Sequence, residues 1–142
     1  MASEEQRAFL ERNRLVIVGL GRKSGPPHLS PVYYVMDGDD ILISTTESRF
    51  KAKAVRRNPE ISLCVIGEQM PFPYLLIYGT ATIEDTDPAG VMMKVGEKMS
   101  GNKLPDAVRP AIEERAKTEG RVVLRVKPQQ FSSTLPLAPK KA

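Results

Sequence analysis

The segment richest in chemistry runs Ser44-Thr45-Thr46-Glu47-Ser48-Arg49-Phe50-Lys51-Ala52-Lys53-Ala54-Val55-Arg56-Arg57-Asn58-Pro59. An apolar stretch ends in three hydroxyls, and a helix follows with Ser48 placed to cap it and Arg49 and Lys51 in its first turn. The first N–H groups of a helix have no intrahelical acceptor, and that end carries a partial positive charge. Cations placed there work against the helix, and a bound anion would offset the cost. Arg49 suits a forked contact with phosphate and Lys51 a point charge. At about 100° per residue, Arg49, Lys53, Arg56 and Arg57 form one stripe while Lys51 points elsewhere. The residues alone equally allow a solvated face on a short surface helix.

Other chemistry is sparse. The chain has one His, one Cys and no Trp among 142 residues. A zinc site of the usual nitrogen and sulfur kind is therefore excluded, as is an internal disulfide. Any serine triad would have to use His28, which sits at the mouth of a turn with no partner fixed by sequence and reads as a surface structural residue. Cys64 lies mid-strand among apolar neighbours and reads as an inert core residue. Gly19-Leu20-Gly21-Arg22-Lys23-Ser24-Gly25 invites a dinucleotide fingerprint, but its third glycine falls one place late and Pro26-Pro27 forbids the helix that should follow. It reads as a hairpin turn.

The elements that would position these groups follow from pattern. Ser3 with Glu5 and Gln6 opens a short helix ending near Asn13. Leu15-Val16-Ile17-Val18 is a continuous apolar run, the mark of a strand buried on both faces. His28–Met36 reads as one strand, with Pro31 pointing to an edge position or bulge. Asp37-Gly38-Asp39-Asp40 is a hairpin turn leading into strand 41–46. Strands follow at 61–66, 74–84 and 121–126. Asp87-Pro88 opens a helix that Gly101-Asn102 breaks, and a second helix runs 105–117 with Pro110 as a late interruption. One domain over 1–131 and an extended or disordered tail over 132–142 are expected. The pattern describes a mainly β protein of six strands, a small barrel or curled sheet with peripheral helices.

Charge is local. Of 21 Lys and Arg, five stand at 49–57 with no acid among them, leaving 16 cations against 17 Asp and Glu elsewhere. A net excess of only four cations, with the aromatics not interleaved among them, argues against a nucleic-acid-binding surface. The longest apolar run is far short of the roughly 20 residues that span a bilayer, and the N-terminus lacks signal-peptide chemistry, so a cytoplasmic location without membrane contact is expected.

Three pieces in order, His28-Leu29-Ser30-Pro31-Val32-Tyr33, Ile43 to Arg49 with Arg57-Asn58-Pro59 and Ile61-Ser62-Leu63, and Tyr78-Gly79-Thr80-Ala81, resemble the pyridoxamine-5′-phosphate-oxidase-like split barrels. The likeness covers about residues 5–86 and 121–131 and is least in the helical insert. The Arg-x-Lys helix start with its Arg-Arg-Asn-Pro ending is most similar to the actinobacterial branch that binds the deazaflavin coenzyme F420. The resemblance implies a six-stranded Greek-key split β-barrel that forms a homodimer with two cofactor grooves at the interface. It implies that Ser44, Thr45, Arg49 and Lys51 hold the cofactor phosphate. Pro31, Val32 and Tyr33 would run along the ring system, and Tyr74 and Ile77 would close the groove from the partner subunit. The implied cofactor is coenzyme F420, with FMN as the alternative, and Lys53, Arg56 and Arg57 would suit the oligoglutamate tail of F420. The implied activity is hydride transfer to an unsaturated small-molecule substrate; a cofactor carrier without turnover is the other reading. Such chemistry belongs largely to the cofactor and needs no triad. No catalytic residue is assigned, the proton donor being solvent or a tyrosine such as Tyr33 or Tyr74.

Overall fold

The computed structural model describes residues 2–133, 136 and 137. In chain order the elements are α1 (Glu4–Arg12), β1 (Leu15–Leu20), β2 (His28–Tyr33), β3 (Val35–Asp37), β4 (Asp40–Thr46), α2 (Phe50–Arg57), β5 (Glu60–Ile66), β6 (Tyr74–Glu84), α3 (Pro88–Ser100), a 3-10 turn at Asp106–Val108, α4 (Arg109–Glu119) and β7 (Arg121–Ser132). The strands form one antiparallel sheet in the order β2-β1-β5-β6-β7-β4-β3. β2 and β3 are thus the two outer edges, yet only Tyr34 separates them in the chain. Consecutive Cα atoms are about 3.8 Å apart, so Tyr33 and Val35 lie within roughly 7 Å and the sheet must curl until its edges meet. The result is a mainly β split barrel.

The expected strand 28–36 is therefore two strands, and the count is seven rather than six. Tyr34 is the corner. It is fully buried, and its hydroxyl donates to the carbonyl of Leu10 at 2.7 Å. Lys98 of α3 donates to the same carbonyl at 3.2 Å and stands 3.8 Å above the Tyr34 ring. Together they satisfy a carbonyl that the end of α1 leaves without an intrahelical donor. Burial pulls the Lys98 ammonium down to about 8. α1 itself begins as expected, with the Ser3 hydroxyl accepting from Gln6 N at 3.1 Å and the Gln6 side chain accepting from Ser3 N at 2.9 Å.

The main core joins Phe9, Leu10 and Tyr34 to the inward residues of β1, β4, β5, β6 and β7. α3 packs on the back of the sheet through Val91, against Val35, Leu42 and Val123. This explains why Ile41-Leu42-Ile43 and Val122-Val123-Leu124 are buried without alternation: both faces of β4 and β7 are covered. β1 behaves differently. Val16, Val18 and Leu20 are core, but Leu15 is 44% exposed and Ile17 is half-buried, so the strand is buried on one face only. Cys64 likewise turns outward between the core residues Leu63 and Val65, correcting its reading as a core residue.

Three local expectations are corrected. Ser48 does not cap α2; Arg49 occupies the cap position and makes no side-chain bond. Pro110 lies in the first turn of α4, where its missing N–H costs nothing, rather than interrupting a helix. β7 continues past Val126 through Pro128 to Ser132, because the register shifts between Tyr78 and Gly79 and leaves the proline at an irregularity. A Cβ on Gly79 would lie 2.3 Å from the Lys127 carbonyl oxygen, so the two strands approach where only glycine fits. Beyond β7, Leu137 is buried in the core and its N–H donates to Glu5 at 2.9 Å; 134, 135 and 138–142 of the expected tail lie outside the described residues.

Candidate functional site

β4 delivers Thr45 and Thr46 to a turn in which Arg49 N donates to Thr46 O at 3.1 Å, and α2 starts at once. Nothing caps this start. Among the described residues the N–H groups of Phe50, Lys51 and Ala52 have no acceptor. Arg49 is exposed and Lys51 half-buried; burial and then the neighbouring Arg49 charge push the Lys51 pKa down. Two cations, one poorly solvated, thus share the positive end of a helix with free donors. An anion here would meet N–H groups, a guanidinium and an ammonium together.

Thr45 adds an independent sign. It is 1% exposed, and its Oγ1 is closed off from solvent with no hydrogen-bond partner. Only two other enclosed side-chain atoms among the described residues share that state, His28 Nδ1 and Ser30 Oγ, both on the inward side of β2. The His28 ring packs on Phe50, the first residue of α2, with centroids 4.6 Å apart. Enclosed polar atoms without partners are costly; of the three, the His28 ring lies against the first residue of α2 and Thr45 stands near the end of the strand that leads to it.

Ser44 is not brought to this corner. Strand alternation turns it to the other side of β4, where its hydroxyl lies 3.5 Å from Arg121 Nη1. Lys53 lines an adjoining cavity of about 690 Å³ with Arg56, Arg57, Phe50 and, from the β1–β2 turn, Arg22, Lys23 and Ser24. Arg57 braces that turn by donating to Gly21 O at 2.9 Å, and Arg56 pairs with Glu47. The contribution of the turn is the part that the sequence reading missed. The signal lay in Arg22-Lys23, inside a motif rejected as a fingerprint and then treated as a hairpin alone.

Pro31 and Tyr33 face outward from β2, while Val32 points inward against the core. Tyr33 pairs across to Leu15, Val16 to Val65, and Ile66 to Tyr74. Tyr33 and Tyr74 therefore stand in one row on the outer sheet face, three strand spacings or roughly 14 Å apart. One chain does not bring them together. Ile77 is fully buried in the core, so its side chain cannot close a groove; its neighbours Leu76 and Tyr78 take the outward positions. No described helix is long and apolar enough to cross a membrane.

Curled sheet, edge closure and helical cover make this a split β-barrel with a cationic corner at the start of α2. The model of the pyridoxamine 5′-phosphate oxidase family matches residues 2–135, and the chain belongs to that family of flavin-type cofactor-binding proteins, which includes oxidoreductases. Among solved structures, one described as an F420 reductase is 23% identical with a TM-score of 0.74, over 92% of this chain and 98% of that one. A conserved hypothetical protein of Mycobacterium tuberculosis is 22% identical with a TM-score of 0.78, over 94% of this chain and 84% of that one. An FAD-binding protein of Mesorhizobium loti is 16% identical with a TM-score of 0.63, over 94% of each chain. At these identities the likeness is one of fold. No curated protein matches the chain.

Proposed function

We propose that the protein is a coenzyme F420-dependent reductase that acts as a homodimer on an unsaturated small-molecule acceptor. The observation that carries the cofactor choice is the cationic cavity beyond the anion corner. FMN ends at its phosphate and would leave Arg22, Lys23 and Lys53 of this cavity without an anion, Arg56 being paired with Glu47 and Arg57 held on Gly21 O. F420 continues from its phosphodiester into an oligoglutamate tail, whose carboxylates are opposite in sign to these cations.

The residues fit the group. The uncapped N–H groups of α2, Arg49 and Lys51 would take the phosphate, with Thr45 Oγ1 supplying a further donor. Val32 and its neighbours Pro31 and Tyr33 would offer backbone and ring edge along the sheet. When bound, the reduced cofactor supplies the hydride. The chain holds the ring in place, keeps its phosphate charge compensated, and leaves proton delivery to solvent, Tyr33, or Tyr74 of a second copy.

The second copy follows from the outer sheet face. Leu29, Pro31 and Tyr33 of β2, Leu15 and Ile17 of β1, and Cys64 and Ile66 of β5 join Tyr74, Leu76 and Tyr78 of β6 in a largely apolar surface. Leu29 is 68% and Tyr78 41% exposed in the single chain. Contiguous apolar faces of this kind mark interaction sites, which supports a second copy here. A two-fold contact across it would bring Tyr74 of one chain toward Tyr33 of the other, which a single chain keeps apart.

The test is a comparison of F420 species with one and with several tail glutamates, and of FMN, on the native protein and on Arg22→Ser/Lys23→Ser. The proposal expects affinity to rise with tail length and the variant to lose that rise. Equal affinity for all tails, or tighter binding of FMN, overturns it.

A further inference from the structure

A second cavity of about 380 Å³ lies at the opposite end of β1 from the cationic corner, between the end of α1, the β5–β6 connection and Leu137. Its apolar wall is Phe9, Met70, Pro71, Pro73, Pro136 and Leu137. The connection holds its shape through Gly67 N donating to Pro73 O at 2.7 Å and Phe72 N to Gln69 O at 2.8 Å. Asn13, 5% exposed, ties it to α1 by donating to Phe9 O at 2.8 Å and accepting from Glu68 N at 3.2 Å.

The charges around the cavity are unequal in their compensation. Glu68 is held by a forked contact from Arg14, Nε at 3.0 Å and Nη2 at 3.1 Å, and so brings no free charge. Both ends of the Asn13 amide are used. Arg12 is left. Its guanidinium stands 5.2 Å from the centroid of the Phe9 ring and donates to Leu137 O, and it has no carboxylate partner among the described residues. A guanidinium carries five donors, and in this exposed one those not used on Leu137 O face solvent at the cavity rim, where a ligand oxygen can replace water.

We infer that this cavity binds a small, flat, apolar monocarboxylate, with its carboxylate on Arg12 and its body against Phe9 and the prolines. The volume is within the range of small-molecule sites, at the small end. The site is separate from the cofactor corner. The six residues of β1 lie between them, a span of roughly 20 Å. It shares no residue with those that would hold the cofactor phosphate.

The probe is 1-naphthoate, with neutral 1-naphthamide as its uncharged counterpart, titrated into the full chain by calorimetry and by methyl NMR of the methionines. The carboxylate should bind at least about tenfold more tightly than the amide, a difference of one decade in Kd. It should shift the Met70 methyl resonance by ring current, and saturating pyrophosphate, which would fill the cationic corner, should not displace it. Arg12→Met keeps the apolar stem and should abolish the preference for the carboxylate. Should that variant fail to fold, Arg12→Lys, which keeps charge and loses the fork, must reduce the preference. Equal binding of acid and amide, an unmoved Met70 methyl, displacement by pyrophosphate, or an unchanged preference in the Arg12 variants would each overturn the inference. Failure of all of these leaves the cofactor proposal standing, since the two sites share no residue.

Discussion

Thr45→Val separates what the fold needs from what the site needs. The side chain is 1% exposed and its hydroxyl has no partner, so the protein without ligand carries the desolvation cost of that group. Such an atom costs about 1–3 kcal/mol, and valine fills the same space without it. The ligand-free variant should therefore be more stable by about that amount, which for a domain of this size raises Tm by roughly 3–10 °C. On the proposed function, by contrast, the bound cofactor phosphate would accept from this hydroxyl. Losing a hydrogen bond to a charged group costs about 1.5–3 kcal/mol, so the affinity should fall by roughly ten- to a hundredfold. Calorimetric melts with and without cofactor, together with equilibrium titration, read both effects. An increase in stability paired with a loss of affinity is the expected result. A ligand-free variant that melts at or below the native temperature refutes the reasoning, because the hydroxyl would then have a partner in the folded chain.

Gly79→Ala should destabilise the barrel by about 2 kcal/mol or more, since the new Cβ would meet the Lys127 carbonyl where the two longest strands pair; denaturant titration checks it. Lys98→Met should change how stability depends on pH. Folded Lys98 loses its proton near 8 and an unfolded lysine near 10.5, so native stability rises between those values. The full shift corresponds to about 3 kcal/mol, reduced to roughly 1–2 kcal/mol because the site is partly open to solvent. Native stability measured relative to the variant should rise by that amount from pH 8 to pH 10, and a constant difference contradicts it. For Lys51, burial and Arg49 lower the pKa in the ligand-free chain. A bound anion favours the charged form, so affinity for a phosphate-bearing ligand should fall as pH rises through the lowered Lys51 value, and Lys51→Met should remove that dependence. Titrations across alkaline pH decide this.

Most of the fold was readable because local signals agreed with the global one. Ser3 with Gln6 made its capping box, Gly38 its turn, Gly101 its left-handed helix end, and Pro31 an edge strand. What was misread depends on long-range placement. Nothing local says that Tyr34 is a corner, because the break comes from the meeting of two sheet edges and the carbonyl of Leu10. The run Leu15–Val18 looks the same whether its second face meets another layer of this chain or is left outward. Ile77 and Ser44 were placed by family likeness at positions that strand alternation turns away from the groove and the anion corner respectively. The cationic corner was legible from 49–57, whereas its other half, Arg22 and Lys23, joins it only because β1 returns through a hairpin against α2.

The most direct measurement of the central claim is equilibrium titration of F420 and FMN into the native protein and into Arg49→Ala and Lys51→Ala. The account predicts that F420 binds the native protein at micromolar levels or tighter, that FMN binds more weakly, and that each substitution weakens F420 by roughly tenfold or more, as loss of a charge-assisted contact to phosphate should. Native protein that binds neither cofactor, or variants that bind F420 as well as the native chain does, would contradict it.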